Sequence, residues 1–226
     1  MEENQNDKPT LLKAIELILA EPSVVKKEAL SLKEKYSKKH QNSKSEDEIN
    51  EMIIDKIISN YSYYTAFVGG ATAITGIIPG LGTVVATFGG ATADAAMSMK
   101  YQIEMTMAIA TIAGHDIELE EQKRLCLIIA GLGAVNEAAK EGGKQIGTKA
   151  FVKIAQQHLK GATLVAVKEI FKKVGVTFTR KAVEKAIPFG IGVVIGFSAN
   201  KGLTYYVGKK VKGFFLLKDE LEEIKQ

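Results

Sequence analysis

The residues from which this 226-residue chain could build a reactive centre are three histidines, one cysteine and two glycine-bearing motifs. Their spacing argues against catalysis. His40, His115 and His158 are too far apart for the one-turn pairing that places two imidazoles on one helix face for a metal. His115-Asp116 reads instead as a cap at a helix junction. Cys126 lies in Leu-Cys-Leu-Ile-Ile, where a thiol behaves as a small hydrophobe rather than a nucleophile. A lone cysteine also excludes an internal disulfide and a multi-cysteine metal site. Gly142-Gly143-Lys144 lacks both the earlier glycine and the following Ser or Thr of a phosphate loop. Gly131-Leu-Gly133-Ala-Val-Asn136 lacks the third glycine of a dinucleotide fingerprint and follows no strand, so helix packing accounts for both motifs. No nucleophile, base and oxyanion donors converge. The expectation is a non-enzyme with no cofactor, no metal and no evident small-molecule substrate.

Charge distribution is more informative. Hydrophobic residues make up 46% and charged residues 25%, which is ordinary for a folded chain and excludes wholesale disorder. The net charge of +4 is unevenly spread: residues 1–56 carry −2, residues 57–139 carry −4 and residues 140–226 carry +10. Anionic lipid or nucleic acid is the usual partner of such a cationic third. Nucleic acid fits poorly, since aromatics are few and no recognised reading module is present. Lipid-facing cations are expected at Lys172, Lys173, Arg180, Lys181, Lys209, Lys210 and Lys212.

Between residues 57 and 93 no charged residue occurs. Two identical pentapeptides, starting at Gly69-Gly70 and Gly89-Gly90, flank an Ile-Ile-Pro79-Gly80-Leu-Gly82 turn, with Gly76 in the first arm. Small residues let helix backbones approach closely, so the run reads as a glycine-zipper hairpin bending at residues 79–82. Its arms, 14 and about a dozen residues long, fall short of the ~20 needed to span a bilayer. A shallow or re-entrant insertion fits those lengths. A second apolar run, residues 186–200, holds Pro188, Gly192 and Gly196. Asp94 and Asn200 close the two runs and are expected to stabilise the hairpin junctions, Asp94 with a basic partner because a charge in apolar company is costly alone.

Helical spacing dominates the remainder. Thr10 reads as the N-cap of a helix carrying Leu11, Leu12, Ile15, Ile18 and Leu19. Pro22 opens a lysine-rich helix to about Lys39, and residues 40–45 form a polar loop. Ser45-Glu46-Asp47-Glu48 is a capping box for a helix with Ile49, Met52, Ile53, Ile57 and Tyr61 facing a core. The second arm is expected to continue unbroken through Asp94 and Met105 to about Gly114. Asp116 is expected to cap a helix over residues 118–140. Helices follow over residues 148–160, 162–174 and 176–185, the last despite a strand-like Val-Thr-Phe-Thr. A final helix carries Tyr205, Tyr206 and the last lysines. The fold expected is an all-α multi-helix bundle with a glycine-rich apolar helical hairpin: residues 1–44 a helical pair, 45–215 the main domain and 216–226 an acidic tail.

The first glycine run, Asp94 after it, Ile109-Ala110 with Gly114 and Asp116, and Ile187-Pro188-x-Gly190-x-Gly192-x-x-Ile195-Gly196 before Asn200 together resemble the EcsC family over roughly residues 45–215. The resemblance implies an α-helical bacterial protein associated with membranes, and it carries over no functional residue. The amino terminus is acidic and polar with no export signal, so a cytoplasmic location at the inner face of the membrane is expected. The functional expectation is a membrane-associated protein whose hairpin and basic carboxyl-terminal third engage the anionic leaflet. A protein partner or a second copy is the other class of partner left open. Two alternatives stand beside this reading: a membrane-permeabilising, pore-forming effector and a soluble helical protein-interaction module.

Overall fold

The computed structural model describes residues 8–66, 68, 78–138, 147–159, 163–184 and 192–223, with side chains throughout except at 137–138, 158–159, 178–184, 192–200 and 217–223. These residues form helices α1 (Thr10–Glu16), α2 (Pro22–His40), α3 (Glu46–Ala66), α4 (Leu81–Phe88), α5 (Gly90–Ile112), α6 (Glu120–Ala138), α7 (Thr148–Leu159), α8 (Leu164–Glu184) and α9 (Gly192–Glu223), packed as a bundle, with no strand among the described residues. The all-α expectation holds. No helix among them is long and apolar enough to cross a membrane.

At the centre lies α5, with buried residues around its whole circumference from Ala95 to Ile112. A helix apolar on every side can be stable only when other helices enclose it, and α5 touches α1, α2, α3, α4, α6, α8 and α9. Four of the six methionines, Met97, Met99, Met105 and Met107, lie on it, fully buried, filling uneven gaps between so many neighbours.

The local signals account for most helix starts. Pro22 occupies the first turn of α2, where a missing N–H costs nothing. The capping box forms as expected: Glu48 accepts the Ser45 backbone N–H at 2.9 Å, and Ser45 Oγ accepts the Glu48 N–H at 3.2 Å. The strand-like Val-Thr-Phe-Thr lies inside α8, which runs on through Glu184. Several boundaries differ from expectation: α1 ends at Glu16, short of Ile18 and Leu19, and the helices expected over residues 162–174 and 176–185 are one unbroken α8. Thr10 is the first helical residue rather than the cap, a place taken by Pro9. Asp116 instead accepts the Glu118 N–H in the turn ahead of α6 and pairs with Lys26 on α2, so α6 starts at Glu120.

Among the described residues, the glycines of the expected hairpin's second arm make no close helix contact. The hairpin's first arm, with Gly69, Gly70 and Gly76, falls largely outside the described residues, as does Pro188. The bend at Pro79–Gly80 is present, but the second arm is not one helix: Gly89, at φ +81°, separates α4 from α5. A Cβ at Gly82, Gly89 or Gly90 would meet open space, so no helix among the described residues approaches closely there. Close approach occurs elsewhere. A Cβ at Gly131 would lie 2.4 Å from Ile170 Cγ2, one at Gly133 would lie 2.9 Å from Val207, and one at Gly208 would lie 2.8 Å from Ile58. The Gly131-x-Gly133 pair therefore does serve helix packing, seating α6 against α8 and α9.

Gly80 has φ +80°, and a Cβ there would lie 2.3 Å from the Leu17 carbonyl oxygen at the end of α1. Gly80→Ala is therefore expected to lower stability by about 1–3 kcal/mol. Gly82→Ala, in an open helical position, should leave stability unchanged or raise it by about 0.5 kcal/mol. Urea unfolding of the two variants checks the contrast.

Candidate functional site

Within the enclosed helix α5 the chain buries a full ion pair. Lys100 and Glu104 are one turn apart, with Nζ 2.6 and 2.7 Å from the two carboxylate oxygens and side chains only 11% and 5% exposed. Glu104 Oε1 also accepts the Ala20 N–H at 2.9 Å, pinning the α1–α2 corner to α5. Burial of a charge is tolerated only when it is paired and hydrogen-bonded in this way. The composition of the run offered a signal: these are the only two charges between residues 95 and 115.

Around Lys100 stand tyrosines. The Tyr61, Tyr64 and Tyr101 ring centres lie 5.4–6.4 Å apart in tilted and edge-on arrangements, and Lys100 Nζ lies 4.9 Å from the Tyr101 ring centre. Burial, followed by the charge of Glu104, raises the Tyr61 and Tyr101 hydroxyls above the ordinary phenol range, so both stay neutral.

Beneath this cluster a polar seam joins α5 to α9. Ser98, Gln102 and Thr204 are buried, linked by long contacts of 3.4 and 3.5 Å from the Gln102 amide, whose oxygen has no partner among the described residues. Asn200 lies one turn before Thr204 on α9, and Gly192 and Gly196 are in the first turns of that helix, where side chains fall outside the described residues. Asp94 is half-buried in the first turns of α5 and is engaged by a partner.

The predicted lipid-facing lysines separate into two groups. On α9, Lys209 and Lys212 reach Asp55 on α3 at 2.9 and 3.2 Å, and Lys210 is buried with Nζ 3.3 Å from Thr148 Oγ1. Burial would raise the Asp55 carboxyl, but the two ammonium groups outweigh it and hold Asp55 below the usual carboxylate range. On α8, Lys172 and Lys173 are exposed and enter no ion pair among the described residues. The same holds for exposed Lys149 and Lys153 on α7, and for Lys168, which is half-buried on α8. Helical spacing puts Val165, Lys172 and Val176 on one outer stripe of α8, and the two valines are 60% and 67% exposed. Arg180 and Lys181 continue the helix in its last two turns.

The remaining chemical candidates are quiet. Burial pushes the Cys126 thiol up to about 12. His115 pairs with Gln122 at 3.0 Å and stacks edge-on against Phe215. No group of three or more metal-ligating side chains converges among the described residues. A cleft of about 350 Å³ opens between α1, α6 and α8 over Leu12, Ile15 and Val167, and its rim cations Lys8, Lys123 and Arg124 face Glu16 and Glu120. That self-neutralised rim leaves little attraction for a charged ligand.

Two outcomes follow. Glu104→Ala should cost roughly 3–5 kcal/mol, because it strands a buried ammonium as well as the Ala20 N–H, whereas Lys100→Met with Glu104→Leu, which strands only the Ala20 N–H, should cost less. Equal losses in chemical denaturation would refute the pairing account. Cys126 should resist thiol reagents in the native chain and react once the chain is unfolded, as a colour assay would read. No protein-family profile, curated protein or solved structure matches the chain.

Proposed function

We propose that this chain is a membrane-associated helical protein that docks on an anionic lipid surface and acts by binding rather than by catalysis. The observation that carries the reading is the division of its lysines. Several of those ahead of α1, on α2 and on α9 are clasped by acidic side chains. The exposed lysines of α7 and α8 enter no ion pair among the described residues, and residues 147–177 hold six lysines against one acid, Glu169. An unneutralised cationic face seeks anions, and exposed Val176, one turn beyond Lys172 on the same stripe of α8, adds apolar contact with lipid. Each cation near an anionic leaflet contributes about 1 kcal/mol, so the α8 lysines supply a weak, salt-sensitive attachment. The charge-free run of residues 57–93 and the resemblance to the EcsC family support the same location, at the inner face of a bacterial membrane.

A second reading, a helical module that binds another protein, is favoured by one observation: Leu81 and Val84 of the apolar turn point inward and are buried, rather than forming an exposed tip. Vesicle flotation separates the two. The chain should float with phosphatidylglycerol-containing vesicles at low salt and leave them at high salt. Lys172→Gln with Lys173→Gln should weaken binding about 30-fold, from the loss of two such attractions. The same charge change at Lys35 and Lys39, exposed on α2, should have a much smaller effect. A chain that never floats, or one equally impaired by both pairs, removes the lipid reading.

A further inference from the structure

Six of the seven tyrosines fall at one level of the bundle, although the sequence scatters them over nearly 150 residues. The register follows from contacts between helices. Tyr61 and Tyr64 of α3 meet Tyr101 of α5. Tyr63 lies under Lys201 of α9, whose Nζ is 3.8 Å from the ring centre. Gln102, beside Tyr101, reaches Thr204, beside Tyr205 and Tyr206. Helix α3 thus runs antiparallel to α5 and α9, and all three cross one plane at their tyrosines. Tyr63, Tyr64 and Tyr205 are 50%, 49% and 50% exposed and face outward there, while Tyr61, Tyr101 and Tyr206 are half-buried behind them.

The two sides of this plane differ in chemistry. On one side lie Asp55, Glu51, Lys209 and Lys212 in their ion pairs. On the other, α3 finishes while α5 and α9 begin. There α3 carries no charge after Lys56, α5 carries only Asp94 before Lys100 and α9 carries none before Lys201, while α8 runs on past Val176 through Arg180, Lys181 and Glu184 at the edge of the bundle. The stripe on α8 reaches the same plane. Gly131 abuts Ile170 and Val174, and Gly133 abuts Val207, which places Lys172 and Lys173 within about a turn of Tyr205 and Val176 close to it in height.

We infer that this ring of tyrosines is where the bundle meets lipid headgroups, so that it stands end-on, with α3, α5 and α9 steep to the surface and the end at which α3 finishes turned toward the bilayer. The inference rests on the lipid-docking reading above and adds an orientation and a depth to it. Tyrosine suits the position because its ring is apolar and its hydroxyl polar, and such residues concentrate at the boundary between headgroups and hydrocarbon. Lys201, stacked on Tyr63, holds an ammonium at the same height for a lipid phosphate, and its aliphatic stem can lie along the apolar side.

The chain has no tryptophan, so single reporters are clean. Tyr64→Trp and Tyr205→Trp place an indole at the proposed boundary, both at half-exposed positions that tolerate a larger ring. The seventh tyrosine, Tyr36 on α2, is one turn from Lys33, which pairs with Glu46 at the far end of α3, and Tyr36→Trp is the control. Each full-length variant, with its helical content checked by circular dichroism, is bound to phosphatidylglycerol-containing vesicles whose acyl chains carry bromine just below the headgroups. Emission from Tyr64→Trp and Tyr205→Trp should fall sharply and shift to the blue, while Tyr36→Trp should change in neither respect. Quenching of Tyr36→Trp, or bound protein whose Tyr64→Trp and Tyr205→Trp stay unquenched, overturns the orientation and leaves lipid docking standing. Failure of the unsubstituted chain to float overturns both.

Discussion

The structure depends on the need to enclose α5. A helix with apolar residues on every face has no side to offer water, so its stability comes from neighbours rather than from its own propensity. Seven of the other helices touch it, and the arrangement of the bundle follows from how each reaches it. The Lys100–Glu104 pair fixes that enclosure more tightly than apolar contact alone. An apolar surface accepts many rotations of its neighbours, whereas a buried carboxylate that needs both an ammonium and the Ala20 N–H restricts the α1–α2 corner to a narrow set of positions.

Enclosure also explains how distant residues come to share a surface. Because α3 and α9 lie against α5 with their register set by Ile58, Met105 and Gly208, the aromatic residues of three helices arrive at one height. The small side of Gly208 matters here, since a larger residue would hold α9 away from Ile58 and shift the register that aligns Tyr205 with Tyr63. The clasp of Asp55 by Lys209 and Lys212 then holds the alignment from the charged side. It also withdraws these two lysines from outside partners, leaving the cationic attraction at the level of the tyrosines to α8 and Lys201.

Much of the fold was legible because its causes are local. Pro22, the Ser45–Glu48 box and the apolar periodicity of α3 and α7 act within one or two turns, and each produced the element expected, whereas the two helices expected over residues 162–174 and 176–185 merge into α8. The break at Gly89 was also written locally, in a Gly-Gly pair, but the uncharged composition around it suggested one continuous arm. The close-packed glycines were misplaced for a different reason. Whether a glycine admits a neighbour depends on which helix lies opposite, and nothing near Gly82 or Gly208 states that. The candidate site was the least legible part. The fate of Lys209 and Lys212 is decided by an aspartate more than 150 residues earlier, and the tyrosine level exists only once three helices are in register.

The packing of α9 against α3 and α5 has a further consequence for how the molecule is made. The Ile58 side of α3 and the Met105 side of α5 are covered by a helix synthesised long after both. During translation these surfaces stay uncovered until residues near 208 have left the ribosome, so the contacts that close the bundle cannot form progressively from the amino terminus. Until then the nascent chain must remain loosely assembled, with its greasiest helix accessible. That interval is when chaperones, or a nearby membrane, have the freest access to it.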